Sequence, residues 1–269
     1  MNTKKLSEAQ KIERLLKIFK ASNASIRPHH IVVGPSGSGK SFTMQQLTEA
    51  LGLDYLEINA AQLTKEGTSG NSLSKALAPL LNKSSRLTVC LVDEFDKLFI
   101  SGNTNSSLAH ETTNGVQNEF LKVLESNLAS VYGEYGKYVS VPVDKVLFVF
   151  AGAFNGEENL TIDRLRDFGV KTEFLGRAGI LFNLQKLTID ELLRILHNSQ
   201  LLKDYLQLFP EVDAKDCVDL ISEYIKSTYE QNTLGARIVS SLVHQYFING
   251  GILTPVAVEK TTFQTTLLL

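Results

Sequence analysis

The eight residues Gly34-Pro35-Ser36-Gly37-Ser38-Gly39-Lys40-Ser41 constrain this chain more than any other stretch. They match the pattern of a phosphate-binding loop, which works only when a buried strand leads into it and a helix starts from it. Both flanks are legible. Ile31–Val33 reads as a short apolar strand and Lys40–Leu51 as a helix. In such a loop the glycines free backbone N–H groups to converge on a phosphate, and the helix presents its positive end to the same anion. Lys40 is placed to reach the β- and γ-phosphates, and Ser41 to ligate magnesium. Phe42 is grouped with Gly34–Ser41 at the nucleotide. A plain Gly/Ser turn would explain neither flank. The expected ligands are ATP and Mg2+.

Three further runs, Leu87–Val92, Val146–Ala151 and Ile180–Leu184, are apolar nearly throughout, with helical patterns between them such as Val116–Glu125. Strands of that kind alternating with helices predict an α/β domain with a parallel central sheet flanked by helices. Ser7, with Gln10 three residues on, starts a first helix as a capping box whose apolar face is Ile12, Leu15, Leu16 and Phe19. Leu73–Leu81 reads as another helix. The pattern changes after Leu187. Thr188 and Glu191 form a second capping box, and helices follow at Cys217–Thr228 and Leu234–Phe247. The expected organisation is a nucleotide-binding domain over residues 1–186. A small, mainly α-helical domain over 187–269 follows, closed by a short β tail (Leu253–Val258, Thr262–Leu268). A length of 269 residues suits two domains.

The run LTVCLVDEFD delivers Asp93 and Glu94 to a strand end, where open α/β sheets bind ligands. Asp93 is expected to hold magnesium through its water shell, and Glu94 to orient and deprotonate an attacking water. Two adjacent acids could instead be a solvated cap. Their position after a phosphate loop favours the chemical reading and argues against a small-molecule kinase.

Charge narrows the partners. A net charge of −2 and a pI near 6.2 create no global basic field for nucleic acid or acidic lipid, although a local patch is left open. Cys90 and Cys217 fit no metal spacing, and Cys90 in its apolar strand reads as a buried, reduced thiol. With neither a signal-peptide run nor a membrane-length apolar stretch, the expected location is the cytoplasm.

Several motifs, taken together and in order, resemble an AAA+ ATPase of the ClpX/HslU branch, the unfoldases that feed a protease chamber. DEFDKL resembles the magnesium-and-glutamate motif of ClpX. GVQNEFLKVLES resembles the helix after it, and KVLFVFAGAF its sensor-1 strand. RLRDFGVKTEFLGR resembles the arginine-finger segment, which carries over onto Arg177, and TLGAR the sensor-2 motif, which carries over onto Arg237. Each arginine alone could be a surface ion-pair partner. The resemblance spans about Arg27 to Phe247. It implies a homo-oligomeric ring, usually a hexamer, with ATP between neighbouring subunits. Gly176 is expected to turn the backbone so that the Arg177 guanidinium projects. At the end of the sensor-1 strand, Asn155 is the nearest polar side chain.

The chain also departs from the family. Cysteines for the family's zinc-binding domain are missing. Only 22 residues separate Phe154 from Arg177, too few for the long loop that docks on the ClpP protease, so no ClpP-type protease is expected. Where ClpX-like motors carry Gly-aromatic-hydrophobic-Gly to grip polypeptide, Glu66-Gly67-Thr68-Ser69-Gly70 keeps the frame but places Thr68 and Ser69 at the gripping positions. Tyr132, Tyr135 and Tyr138 fall where the family has its second pore loop. They either form an aromatic channel surface or pack on the face of a β-hairpin. Two functions fit these residues: remodelling or disassembly of a protein partner without a protease, or a nucleotide-switched assembly or loader role on a nucleic-acid complex. DNA translocation is disfavoured by the absence of a Lys/Arg cluster.

Overall fold

Val32, Val33 and the residues of the Val146–Gly152 run are buried on both sides, and side chains in that setting must be apolar in both directions of the strand alternation. A computed structural model describes residues 6–65, 70–83, 85–99, 107–133 and 136–253, with 107–113 described by backbone alone. Its chain divides into two compact units, Met1–Lys186 and Leu187–Leu269.

The first unit contains α1 (Glu8–Ala21), β1 (His30–Val33), α2 (Lys40–Ala50), β2 (Asp54–Asn59), α3 (Leu73–Ala76), β3 (Thr88–Asp93) and α4 (Ser107–Glu125). After these come β4 (Leu128–Tyr132), β5 (Tyr138–Pro142), β6 (Val146–Gly152), α5 (Ile162–Asp167), α6 (Thr172–Ala178) and β7 (Ile180–Asn183). Five strands form one parallel sheet in the order β2-β3-β6-β1-β7, while β4 and β5 pair as a separate antiparallel ribbon. One sheet face packs Ile12, Leu16 and Phe19 of α1 and Met44 of α2 against Val32, Leu91 and Val149. The other carries Phe95, Phe120, Phe148, Phe150 and Phe174. The C-terminal ends of β1, β3 and β6 are neighbours, which sets the site.

At the opposite end of β1, two histidines are buried. His29 Nδ1 accepts the Phe148 N–H at 3.0 Å, and His30 Nδ1 lies 3.0 Å from the Pro28 carbonyl, which it can meet only by donating. Burial lowers both from 6.5 to about 4, with Arg27 and His30 adding to the effect at His29. Cys90 is buried in β3 and its thiol is pushed up by desolvation.

The second unit contains α7 (Ile189–Asn198), α8 (Gln200–Leu208), α9 (Ala214–Thr228) and α10 (Arg237–Ile248). Leu192, Leu196, Ile221, Ile225, Leu242 and Val243 form its core. Both expected capping boxes form, Ser7 with Gln10 and Thr188 with Glu191. The last helix starts at Arg237 rather than Leu234, because Gly235 adopts a left-handed φ of 56°. The helix expected over Leu73–Leu81 is interrupted. After α3 the chain tightens into a 3-10 turn, Ala78–Asn82, where Pro79 has no N–H to continue an α-helical ladder. The expected β tail lies outside the described residues beyond Leu253. No helix among the described residues is long and apolar enough to cross a membrane.

Candidate functional site

The phosphate loop begins where β1 runs out of space. Gly34 donates its N–H to the Gly152 carbonyl at 3.3 Å, and a Cβ on it would lie 2.6 Å from the Leu184 carbonyl oxygen. Only glycine fits such a contact. Gly37 and Gly39 then take left-handed φ values of 71° and 81°, turning the chain directly into α2 at Lys40. Lys40 Nζ donates to the Gly34 carbonyl at 2.7 Å and the Pro35 carbonyl at 3.0 Å, which holds the ammonium over the loop. Ser38 Oγ is buried in the loop without a hydrogen-bond partner. A buried hydroxyl with no acceptor, at the N-terminus of an 11-residue helix, fits an anion. Phe42 is the third residue of α2 and is 66% exposed.

The acids lie at the end of β3. Val89–Val92 are buried and Asp93 half-buried. Ser41 Oγ donates a close hydrogen bond to Asp93 Oδ2, so the two oxygens expected to serve magnesium already meet across the loop. That hard oxygen pair suits Mg2+. Asp93 Oδ1 accepts the Glu94 N–H at 2.8 Å. Glu94 is exposed with a left-handed φ of 55°, which for a residue with a side chain costs on the order of 1–3 kcal/mol. That turn sends Glu94 outward and the next two residues inward. Phe95 stacks on Phe174 with centroids 5.0 Å apart. Asp96, passed over in the sequence reading, is only 1% exposed and accepts the Phe154 N–H at 3.2 Å. Its one sequence signal is its place as the fourth letter of DEFD.

The structure brings Lys40, Ser41, Asp93 and Glu94 together at the C-terminal ends of β1 and β3, the strands on either side of β6. Arg177 is elsewhere, in the last turn of α6, where its Nη2 donates to Glu125 Oε1 of α4 at 2.6 Å. Gly176 does not turn the backbone. It lies inside α6, so the guanidinium is directed by the helix rather than by a glycine kink. Arg237 is the first residue of α10, in the second unit. Asn155 is exposed in the turn after β6, with a φ of 60°.

A second region concerns contact rather than chemistry. Thr68 and Ser69 lie outside the described residues, but the base of their loop is closed by the Thr64 N–H donating to the Asn71 carbonyl at 2.9 Å. Lys75 Nζ donates to the Gly70 carbonyl at 3.0 Å and stands 5.6 Å from the centre of the Tyr132 ring. Tyr132 and Tyr138 pair across β4 and β5 and meet edge to face at 5.6 Å. Both remain open to solvent, at 37% and 55% exposure, so neither is buried on a sheet face. Tyr135 lies outside the described residues.

Comparison with known proteins adds the family. Residues 30–163 match the ATPase family associated with various cellular activities (AAA). The chain is 27% identical to the ATP-dependent Clp protease ATP-binding subunit ClpX of Porphyromonas gingivalis, over 93% of this chain and 72% of that protein. It is 26% identical to the protein of the same name from Bacteroides thetaiotaomicron, over 86% of this chain and 67% of that one.

Proposed function

This chain is a ClpX-like AAA+ ATPase, and from that premise we propose that it works as a homo-oligomeric ring, hexameric by analogy, that remodels or disassembles a protein partner without a protease. The observation that carries the reading is the Ser41–Asp93 contact with Glu94 as the next residue, since an acid placed to activate water beside a magnesium-type oxygen pair is more than nucleotide binding requires.

In this mechanism the loop amides and Lys40 bind the ATP phosphates. Ser41 and Asp93 would hold magnesium, which would supply neutralisation of the phosphate charge when bound. Glu94 accepts the proton of the attacking water as its oxygen bonds to the γ-phosphorus and the bond to ADP breaks. Arg177 of a neighbouring copy stabilises the charge on the transferring phosphoryl group, and Arg237 takes the sensor-2 role that the resemblance implies. Independence from a ClpP-type protease is supported by the segment between Phe154 and Arg177. It is occupied by a 3-10 turn, α5 and most of α6, with no room for a long docking loop. The loader reading draws on Thr68-Ser69, which offers little apolar grip.

The test is a Glu94→Gln protein challenged with its co-purifying partner. Under the remodelling reading the variant keeps ATP and holds the partner, while wild type releases it as ATP turns over. Release that needs only ATP binding favours the loader reading. An ATP-dependent complex with ClpP in gel filtration contradicts protease independence.

A further inference from the structure

We propose that Asp96 is a positioning residue for ATP hydrolysis: its carboxylate holds the turn after β6 and, through that turn, the spacing between the water-activating end of β3 and the phosphate loop. A charge buried to 1% exposure is costly unless hydrogen bonds compensate it. One carboxylate oxygen accepts the Phe154 N–H at 3.2 Å. The other is 3.0 Å from where a Cβ on Gly152 would stand, so any side chain there would push the acid aside. Among the described residues the cation paired with it, Lys97 Nζ at 3.7 Å, belongs to a half-exposed side chain. Asp96 therefore bonds to Phe154 and borders Gly152, the residues on either side of Ala153.

Gly152 continues the chain of contacts, since its carbonyl accepts the N–H of Gly34, the first residue of the phosphate loop. The links run from Asp96, two residues past Glu94, through Gly152 to the loop that carries Lys40. The turn between them needs a restraint. Phe154 and Asn155 hold left-handed φ values of 45° and 60°, a conformation that non-glycine residues keep only when their surroundings over-determine it. The Phe154 ring is held by Phe168 at 5.3 Å, and its amide by Asp96.

The proposal rests on Glu94 as the water-activating group, which Glu94→Gln tests separately: if that variant hydrolyses ATP normally, the premise fails whatever Asp96 does. The direct test compares Asp96→Ala, which removes the acceptor, with Asp96→Asn, which keeps an oxygen for the Phe154 N–H. Asp96→Ala should lower kcat by about 10- to 100-fold, the scale of a misplacement near 1 Å, with ATP affinity within about threefold of wild type. Asp96→Asn should restore kcat to within about threefold. Wild-type kcat in Asp96→Ala overturns the proposal, as does Asp96→Asn being equally slow, or ATP affinity falling in step with kcat. If Asp96→Ala does not fold, Asp96→Asn decides. Near-normal kcat with the Phe154 amide still slow in hydrogen exchange supports the assignment. A slowed kcat, a fast-exchanging amide, or failure of both variants to fold overturns it.

Discussion

Asp93 and Glu94 rise from Val89–Val92, a strand buried on both faces and paired on both edges, whereas Tyr132 and Tyr138 rise from a two-stranded ribbon with most of its β5 side chains in solvent. The two regions differ in what holds a side chain still. At the sheet end, neighbouring strands and two hydrogen bonds set the Asp93 oxygens, and a left-handed backbone sets the direction in which Glu94 leaves the strand. At the hairpin, the two rings meet edge to face and a lysine stands near Tyr132, while both side chains stay open to solvent. Pre-set oxygens suit bond-breaking, which suffers from small misplacements. Exposed tyrosines suit contact, because aromatic rings offer apolar area with few rotors to freeze. Chemistry and contact are thus separable here, and mutations should separate them.

The largest separation is expected at the strand end. Glu94→Gln should lower ATP turnover by about 10²- to 10⁴-fold with ATP affinity within about threefold, since only general-base catalysis is lost. Single-turnover kinetics with equilibrium binding checks this. Lys40→Ala should instead weaken ATP binding by at least about 30-fold, the cost of removing one partner of a desolvated charge pair. At the hairpin, replacing Tyr132, Tyr135 and Tyr138 with alanine should abolish partner release while basal turnover stays within about twofold. If basal turnover and melting temperature collapse together, the tyrosines support the fold and the comparison breaks.

The smallest effect concerns the far end of β1. His29 and His30 titrate near 4 in the folded chain and near 6.5 when unfolded, so between these values the unfolded chain binds more protons. Their contribution to stability is complete above pH 6.5 and is lost as pH falls towards 4. Melting temperature should therefore drop between pH 7 and 5, and His30→Gln should flatten that slope. An unchanged slope would show that other groups carry it.

Much of this architecture is legible locally. Buried parallel strands must be apolar throughout, and the caps of α1 and α7 need only residues three apart. What escaped depends on geometry that the local sequence does not carry. Asp96 turns inward because Glu94 is left-handed, and nothing in DEFD says which acid faces water. The Arg177–Glu125 pair joins residues 52 positions apart. Gly176 reads as a turn because glycine is rare inside helices, yet one helical glycine costs only about 1 kcal/mol and α6 absorbs it. Pro79 ended a helix that apolar periodicity alone extended.

The central claim is that one copy's phosphate loop is completed by another copy's arginine. In a single chain Arg177 is paired with Glu125, and it shares no site with Lys40. Lys40→Ala and Arg177→Ala proteins should each be nearly inactive, since a trans arginine contributes on the order of 10³–10⁵ in rate. Mixed in equal amounts, they should regain a measurable fraction of wild-type ATP turnover, because one supplies the site and the other the finger. Turnover per subunit of wild type should also rise with concentration until rings form. No recovery on mixing, or full turnover from a protein shown to be monomeric by sedimentation, would contradict the account.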